Sequence, residues 1–368
     1  MIQKIKLTNL RCFDDVTFEF GAGDNLIVGS NGSGKTTIVE AIGLFTFGRF
    51  VSIPQDSLAV RAGENLSRVE ISIQNKDRKM SAEVAFGLNE KAFKLMGNKV
   101  PISEIVGFVR AVYFNPETID LISGAPQIRR REIDSAIAQK DHLFVPTLLH
   151  YKSVLKQRNV LLRRIGAGQA KKSEMTFWDH ELKKYGREIL TRRESFISDI
   201  NQNLRATHEK LLEKKSALAL AYQPSCDYER FDEVLAAGFE ADLGAGLTLC
   251  GPHRDDMIFE QSRSEVRKTN FVKSSSTETR HESQANMRDG ASRGEQRVAA
   301  VAFKHEVKKY LTSDEEPILI FDDVFSELDE KSRAGVAKII ENGQLIISAT
   351  DEKIIPEILR QRANVLKL

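Results

Sequence analysis

Apolar positions recur with two different periods along this chain, and the changes of period divide it into three regions. From Met1 to about Gly124 the period is two. Val16-Thr17-Phe18-Glu19-Phe20, Val69-Glu70-Ile71-Ser72-Ile73 and Ala82-Glu83-Val84-Ala85-Phe86 each alternate apolar and polar residues. Such strands bury one face, as in antiparallel sheets. Asn25-Leu26-Ile27-Val28 is a short apolar run that ends at a glycine-rich loop, which predicts a central parallel strand. From Pro126 to Ser216 the period is helical. Leu148, Tyr151, Leu155, Leu162 and Ile165 follow alternating three- and four-residue steps, with polar Arg158 at the intervening site. Gly166-Ala167-Gly168 interrupts the pattern, and Trp178, Leu182, Tyr185, Ile189 and Phe196 resume it. Two heptad-like seams around a glycine break predict an antiparallel hairpin arm; an ordinary helical subdomain is the alternative. From about Gly244 the pattern returns to α/β. Ile318-Leu319-Ile320-Phe321 and Leu345-Ile346-Ile347 read as doubly buried strands, with a helical segment, Glu330–Glu341, between them. The polar stretch Gln261–Asp289, which includes Ser274-Ser275-Ser276, predicts a mobile loop. No internal repeat is visible.

With 368 residues, 41% apolar and 29% charged, the chain reads as soluble and globular. No stretch is long and apolar enough to span a bilayer. The first ten residues lack the apolar core of a secretion signal. Cys12, Cys226 and Cys250 are few and widely spaced. They suit a reducing cytosol, and no pair has zinc-ligand spacing. The net charge of +2 conceals an asymmetry. Pro126–Ser216 carries 20 Lys plus Arg against 11 Asp plus Glu, a net +9, so the remainder stands at −7. A basic segment on an acidic remainder points toward nucleic acid, although exposed helices also carry basic faces for solubility alone.

Gly29-Ser30-Asn31-Gly32-Ser33-Gly34-Lys35-Thr36 matches the P-loop pattern in full, with an apolar strand before it and Thr37–Ile42 opening a helix after it. Glycines let the backbone curl its N–H groups onto phosphate oxygens, and the helix N-terminus adds partial positive charge. Lys35 would reach the β- and γ-phosphates of ATP, and the Thr36 hydroxyl is a hard oxygen ligand for Mg²⁺. Thr37 begins the helix beside them. Ile318–Phe321 followed by Asp322-Asp323 is a second signal, because nucleotides bind at the carboxyl ends of buried strands. Asp322 would hold Mg²⁺ through water, and Asp323 would orient or deprotonate the attacking water. Ser292-Arg293-Gly294-Glu295-Gln296-Arg297, ahead of the apolar helix Val298–His305, resembles the ABC-type signature. That motif completes the nucleotide site of a second protomer, so Ser292 and Gly294 become candidate site residues in trans. Ser326-Glu327-Leu328-Asp329 matches the D-loop of the same class.

In this company further segments fall in order: Leu7-Thr8-Asn9-Leu10-Arg11, Phe114-Asn115-Pro116-Glu117, Gly124-Ala125-Pro126 with Arg129-Arg130-Arg131, Leu155-Lys156-Gln157-Arg158-Asn159 and Gly251-Pro252-His253-Arg254-Asp255-Asp256. Over essentially its whole length the chain resembles the RecF family, compact relatives of the SMC-type ATPases. The resemblance implies an α/β fold: an ABC-type P-loop ATPase head with a mixed sheet, an antiparallel β subdomain and an inserted α-helical arm. The head would be built from residues 1–125 and 244–368, and the arm lobe from residues 126–243. It also implies slow Mg²⁺-dependent ATP hydrolysis, ATP-dependent homodimerisation and a cytoplasmic location. DNA binding at gaps or single-strand/double-strand junctions, with RecR and RecO as partners that help load recombinase, is implied as well. Arg11 would contact the nucleotide on this reading, or simply cap a strand end. Arg129, Arg130 and Arg131 would contact DNA phosphates, or form a solvated helix face. His253 with Asp255 and Asp256 reads either as a metal site or as a hydrogen-bonded junction between arm and head.

Four features depart from the family pattern. Arg293 stands where the usual signature has glutamine. The 261–289 segment is longer than expected. Asn115-Pro116-Glu117 lies where related ATPases keep a Mg²⁺-sensing glutamine. Thr350 stands near the position of the switch histidine of ABC transporters. Three other functions compete. A transporter's ATPase subunit conflicts with the 257 residues between Lys35 and Ser292. A DNA-tethering SMC head would need a longer coiled coil and a hinge. A nuclease-fused ATPase would need a metal-binding domain after Asp323, whereas the sequence stops at Leu368.

Overall fold

Period-two alternation becomes one half-buried antiparallel sheet. The structure, a computed structural model, describes residues 1–75, 78–262, 284–326 and 343–368. The expected helix Glu330–Glu341, Glu327–Asp329 of the expected D-loop, and residues 263–283 of the expected polar loop lie outside the described residues. In chain order the first strands are β1 (Ile2–Leu10), β2 (Phe13–Glu19), β3 (Asp24–Val28), β4 (Leu66–Asn75), β5 (Arg78–Gly87), β6 (Lys91–Leu95), β7 (Asn98–Val100) and β8 (Ala111–Phe114). Then come β9 (Ala219–Gln223), β10 (Asp256–Ser262), β11 (Gln284–Asn286), β12 (Ile318–Asp322), β13 (Leu345–Ala349) and β14 (Asn364–Lys367). The helices include α1 (Lys35–Phe47), α2 (Asp120–Ser123), α3 (Pro126–Lys140), α4 (Phe144–Gly166) and α5 (Met175–Leu212). They continue with α6 (Phe231–Ala237), α7 (Phe239–Ala245), α8 (Met287–Gly290) and α9 (Arg293–Leu311).

The chain divides into two compact units, and the first comprises Met1–Thr118, Ser135–Pro146 and Val307–Leu368. Its antiparallel sheet runs β2-β1-β4-β5-β6-β7, and β4 buries every second residue. Its second sheet, β14-β3-β13-β12-β8, is parallel throughout. β12 and β13 are buried at every position, as expected for strands covered on both faces. α1 is buried over nearly its whole length, so its sequence carries no polar face. Ile5 and Val69 of one sheet, Ile38, Ile42 and Phe45 of α1, and Ile320 and Ile346 of the other sheet belong to one core.

The second unit comprises Ile119–Asp134 and Thr147–Glu306. Here α4 and α5 form the expected antiparallel hairpin. Thr147 Oγ1 donates to Glu188 (2.8 Å), His150 stacks on Tyr185, and Arg158 Nε donates to Asp179 (2.8 Å). The seam differs in detail from the heptad reading. Val154 is the buried residue rather than Leu155, and Arg158, read as merely polar, is fully buried. Its guanidinium bonds Asp179, Asp242 and Thr248. α5 also runs on well past its partner, to Leu212, where Asn201 exchanges two hydrogen bonds with the Leu220 backbone of β9.

The division differs from the expected boundaries at both ends of the arm. Residues 244–306, assigned to the head from sequence, belong to the second unit. The reason is a small antiparallel sheet, β11-β10-β9, whose Phe259 packs edge-on against Phe303 of α9, as Phe196 of α5 also does. Conversely, residues 135–146 join the first unit, where Gln139 Oε1 accepts a hydrogen bond from the Ala111 amide (2.9 Å).

Candidate nucleotide site

The carboxyl ends of β3, β12, β13 and β8 open onto one edge of the parallel sheet, and the sequence candidates of the first unit meet there. β3 runs into the P-loop. Gly32 (φ 81°) and Gly34 (φ 100°) adopt left-handed conformations that side-chain-bearing residues avoid. A Cβ on Gly34 would also lie 2.4 Å from the Phe13 ring. Among the described residues no side chain caps α1, so its first amides retain their donor capacity. Lys35 is buried, and its Nζ donates to the carbonyls of Gly29 (2.8 Å) and Ser30 (2.9 Å). The ammonium is thereby held over the loop's own curl.

The carboxylates arrive on β12. Asp322 Oδ1 accepts from Ser348 Oγ (2.6 Å) and Thr36 Oγ1 (3.3 Å), and Oδ2 accepts from Tyr113 OH (2.8 Å). Burial, and then the neighbouring Asp322 charge, push the Tyr113 hydroxyl well above the usual tyrosine range, so it stays a donor. The structure thus brings Thr36 and Asp322 together, as a shared cation site needs. Asp323 follows at φ 52°, with its amide donating to Ser348 Oγ (3.0 Å). Its Oδ1 is buried and has no hydrogen-bond partner among the described residues, as is true of Ser33 Oγ.

Arg11 lies beside α1. It pairs with buried Glu40 (2.6 Å), reaches Thr37 Oγ1 (3.5 Å) and sits over the Phe50 ring. Glu40 in turn accepts from the Ser52 amide (2.9 Å), so Arg11 is fixed by its carboxylate rather than free at a strand end. Asn115, immediately after β8, is engaged locally. Its Oδ1 accepts from Thr118 and its Nδ2 donates to Glu117.

The signature segment lies in the second unit and opens α9. Ser292 Oγ accepts from the Glu295 amide (3.3 Å), and Glu295 Oε2 accepts from the Ser292 amide (3.1 Å) and hydroxyl (3.0 Å). This is a reciprocal capping box. Lys214, by its hydrogen bond, and then the Ser292 amide hold the Glu295 carboxyl down at about 2. Ser292, Arg293 and Gly294 are exposed, and a Cβ on Gly294 would meet nothing within 4 Å. The helix end presents an accessible surface.

The triple-arginine expectation requires correction. Arg129 is buried and grips both oxygens of Asp256 (2.8 Å each), with further bonds to the carbonyls of Leu121 and Gly124. It is held in a structural ion pair. Arg130 is half-buried and donates to the Asp255 carbonyl (2.5 Å); only Arg131 is exposed. His253 accepts from the Tyr151 hydroxyl at Nδ1 (2.8 Å) and donates from Nε2 to the Thr248 carbonyl (3.0 Å). Asp255 accepts from Tyr222, Tyr228 (2.6 Å) and the Ser225 amide (2.7 Å). Every ligand atom of a hypothetical metal site is therefore engaged, and no group of three potential ligands occurs among the described residues. The motif is a hydrogen-bonded hub inside the second unit.

Sequence reasoning missed Tyr113, Ser348 and Glu40. Ser348 carried a signal, being the one hydroxyl in the buried run Leu345–Ala349. Glu40, a carboxylate in the apolar start of α1, carried another.

A family model described as an AAA domain matches residues 4–233. The chain is 31% identical to the DNA replication and repair protein RecF of Moorella thermoacetica, covering 100% of this chain and 94% of that one. It is 30% identical to RecF of Agathobacter rectalis, over 100% and 96%. Among solved structures it is similar to the recombination mediator protein RecF-ATPrS of the RecFOR pathway, with a TM-score of 0.84 and 25% identity, covering 100% of this chain and 96% of that one. An Smc head domain from Pyrococcus furiosus, at 17% identity and a TM-score of 0.53, shares the fold. The chain belongs to the RecF family of DNA replication and repair proteins, with the α/β fold of ABC-type ATPase heads.

Proposed function

We propose that this protein is an ATP-dependent DNA-binding protein of recombinational repair and replication restart, acting in the cytoplasm as a slow ATPase. The observation that carries the reading is the contact of Thr36 in the P-loop with Asp322 at the end of β12, with Asp323 next along the chain. A hydroxyl and a carboxylate 3.3 Å apart fit Mg²⁺, which takes hard oxygens, keeps several waters and needs only one or two protein ligands beside the phosphates. When bound, the ion would neutralise charge on the β- and γ-phosphates. Lys35 and the P-loop amides bind and orient the triphosphate, with Arg11 and Thr37 at the edge of its site. Asp323, whose Oδ1 is unengaged among the described residues, holds and deprotonates the attacking water. The exposed Ser292–Gly294 surface supplies donors to the γ-phosphate of a second copy. ATP then closes a homodimer and hydrolysis releases it. The arm's positive charge takes up DNA phosphates at gapped or junction DNA, where RecR and RecO join to load recombinase. The SMC-like tethering reading has a neighbour in fold only.

Oligomeric state tests this most directly. ATP should produce dimers and ADP, which lacks the γ-phosphate, should not. Ser292→Arg should keep ATP binding by the monomer and lose ATP-induced dimers and hydrolysis. Mixing it with Lys35→Ala restores one composite site with both halves intact, so activity should partly return. Wild-type dimerisation of Ser292→Arg in sedimentation experiments removes the composite site.

A further inference from the structure

Two of the three cysteines are neighbours in space. Ser225 Oγ donates to the Gly251 carbonyl (3.1 Å) and accepts from the Gly251 amide (2.9 Å), locking residue 225 to residue 251. The Ser225 amide also donates to Asp255 (2.7 Å). On the 251 side the chain is fixed again, because Arg193 donates to the Pro252 carbonyl (2.8 Å). Gly251 itself, at φ 123°, has no room for a side chain, since a Cβ would lie 2.6 Å from the Tyr151 hydroxyl. Stepping one residue outward on each segment brings Cys226 opposite Cys250, close enough for each thiol to bear on the ionisation of the other. Both are free thiols and both are half-buried, so small molecules reach them while the backbones around them stay pinned. No function assigned above uses either one.

We propose that Cys226 and Cys250 form a reversible dithiol–disulfide site in the second unit, oxidised by hydrogen peroxide and restored by small-molecule thiols. Disulfides in reducing compartments are transient and redox-sensing where they occur, and a pre-aligned pair is what such chemistry needs. Cys226 is the attacking group, because the neighbouring Cys250 thiol favours its thiolate whereas Cys226 disfavours that of Cys250. Its sulfur bonds one peroxide oxygen, the O–O bond breaks, and hydroxide leaves and is protonated to water. Cys250 loses its proton to solvent and attacks the Cys226 sulfenic sulfur. The S–S bond forms, the S–O bond breaks and a second water departs. Two thiols lose two electrons in all, and one peroxide becomes two waters. The disulfide closes residues 226–250, which include α6 and α7, onto the turn that leads into the Gly251–Asp256 hub.

Burial pushes both thiols up, Cys250 to about 12, so near neutrality both are protonated and oxidation is slow. The reactive thiolate gains about tenfold in population per pH unit below the thiol pKa. The experiment uses the full chain, reduced, desalted and exposed to hydrogen peroxide between neutral and mildly alkaline pH. Remaining thiols are alkylated in denaturant and the peptides mapped without reductant. The expected product is a Cys226–Cys250 cross-linked peptide two hydrogens lighter than its halves and cleaved by dithiothreitol. It should form about tenfold faster per pH unit, with exposed Cys12 outside the cross-link. In Cys250→Ser the Cys226 sulfenic acid should accumulate and be trapped by dimedone. Separate sulfinic or sulfonic acids on the two cysteines, pairing of either with Cys12 or with another copy, or a rate independent of pH would each overturn the proposal.

Discussion

The molecule holds two dense polar clusters, and they handle their hydrogen bonds in opposite ways. In the hub around Gly251–Asp256 every carboxylate has its partners. Asp256 is gripped bidentately by Arg129, Asp134 by Arg193, and Asp255 accepts two tyrosine hydroxyls and an amide. At the sheet edge of the first unit, Asp323 Oδ1 and Ser33 Oγ are buried without partners among the described residues, and Asp323 adopts a left-handed backbone. Unsatisfied buried polar atoms cost free energy, and a fold retains them where another species completes them. On the proposed function, the saturated cluster is structural and the incomplete one is the site that ATP and water would complete. Motif strength does not separate the two, since both are built from distinctive sequence.

The sharpest break of that comparison falls at Asp323. Asp323→Asn keeps size and hydrogen bonding but removes the charge that accepts a proton. Loss of general-base help typically costs ~10²–10⁴-fold in rate. The variant should bind ATP normally, unfold at the wild-type midpoint and remain dimeric longer after ATP addition. Single-turnover hydrolysis measures it. Near-wild-type turnover would remove Asp323 from the chemistry and with it the meaning attached to its bare oxygen.

The hub predicts the reverse profile. Arg129→Ala leaves the Asp256 carboxylate without its guanidinium in a largely enclosed site. Removing one member of a buried pair costs about 3–5 kcal/mol, and the lower end applies because Asp256 keeps 20% of its side chain exposed. Denaturant unfolding should show that loss while ATP affinity stays within about twofold, a difference of roughly 0.4 kcal/mol. A variant with wild-type stability and weakened DNA binding would mean that Arg129 leaves its pair to meet a phosphate.

How much of this was legible beforehand follows the same divide. The P-loop, Asp322 and Asp323 are local words that depend on spacing along the chain, and they sit where β3 runs into α1 and where β12 ends. The half-buried strands and the α4–α5 hairpin were equally plain, because period-two and three-to-four stepping are backbone properties. Long-range pairing was not legible. Nothing near Arg129 announces Asp256, and nothing near Arg158 announces Asp242, so Arg129 reads as a DNA contact or a solvated cation and Arg158 as no more than a polar residue in the seam. A long side chain with one charge reads the same in sequence whether water or a distant carboxylate solvates it. β9 and β10 were missed for a related reason. Their short alternating runs lie on either side of α6 and α7, and only pairing between them makes a sheet.

The smallest expected effect tests whether the arm's surface does what its interior cannot. Arg131 is exposed on α3, two residues along from the buried Arg129. If the arm's excess of positive charge meets DNA here, Arg131 releases one counterion on binding, as any phosphate contact does. Arg131→Glu should then lower affinity about uniformly across DNA sequences and reduce the slope of log K against log salt by about 1. Stability should change by no more than about 0.5 kcal/mol, as for surface positions generally. Fluorescence anisotropy over a salt series, with ATP present, resolves a change of that size. An unchanged slope would move the DNA contact off this face of α3 to other cations of the basic segment. Arg129→Ala would still destabilise in that case, so the two arginines separate the role of charge on the arm from its role within it.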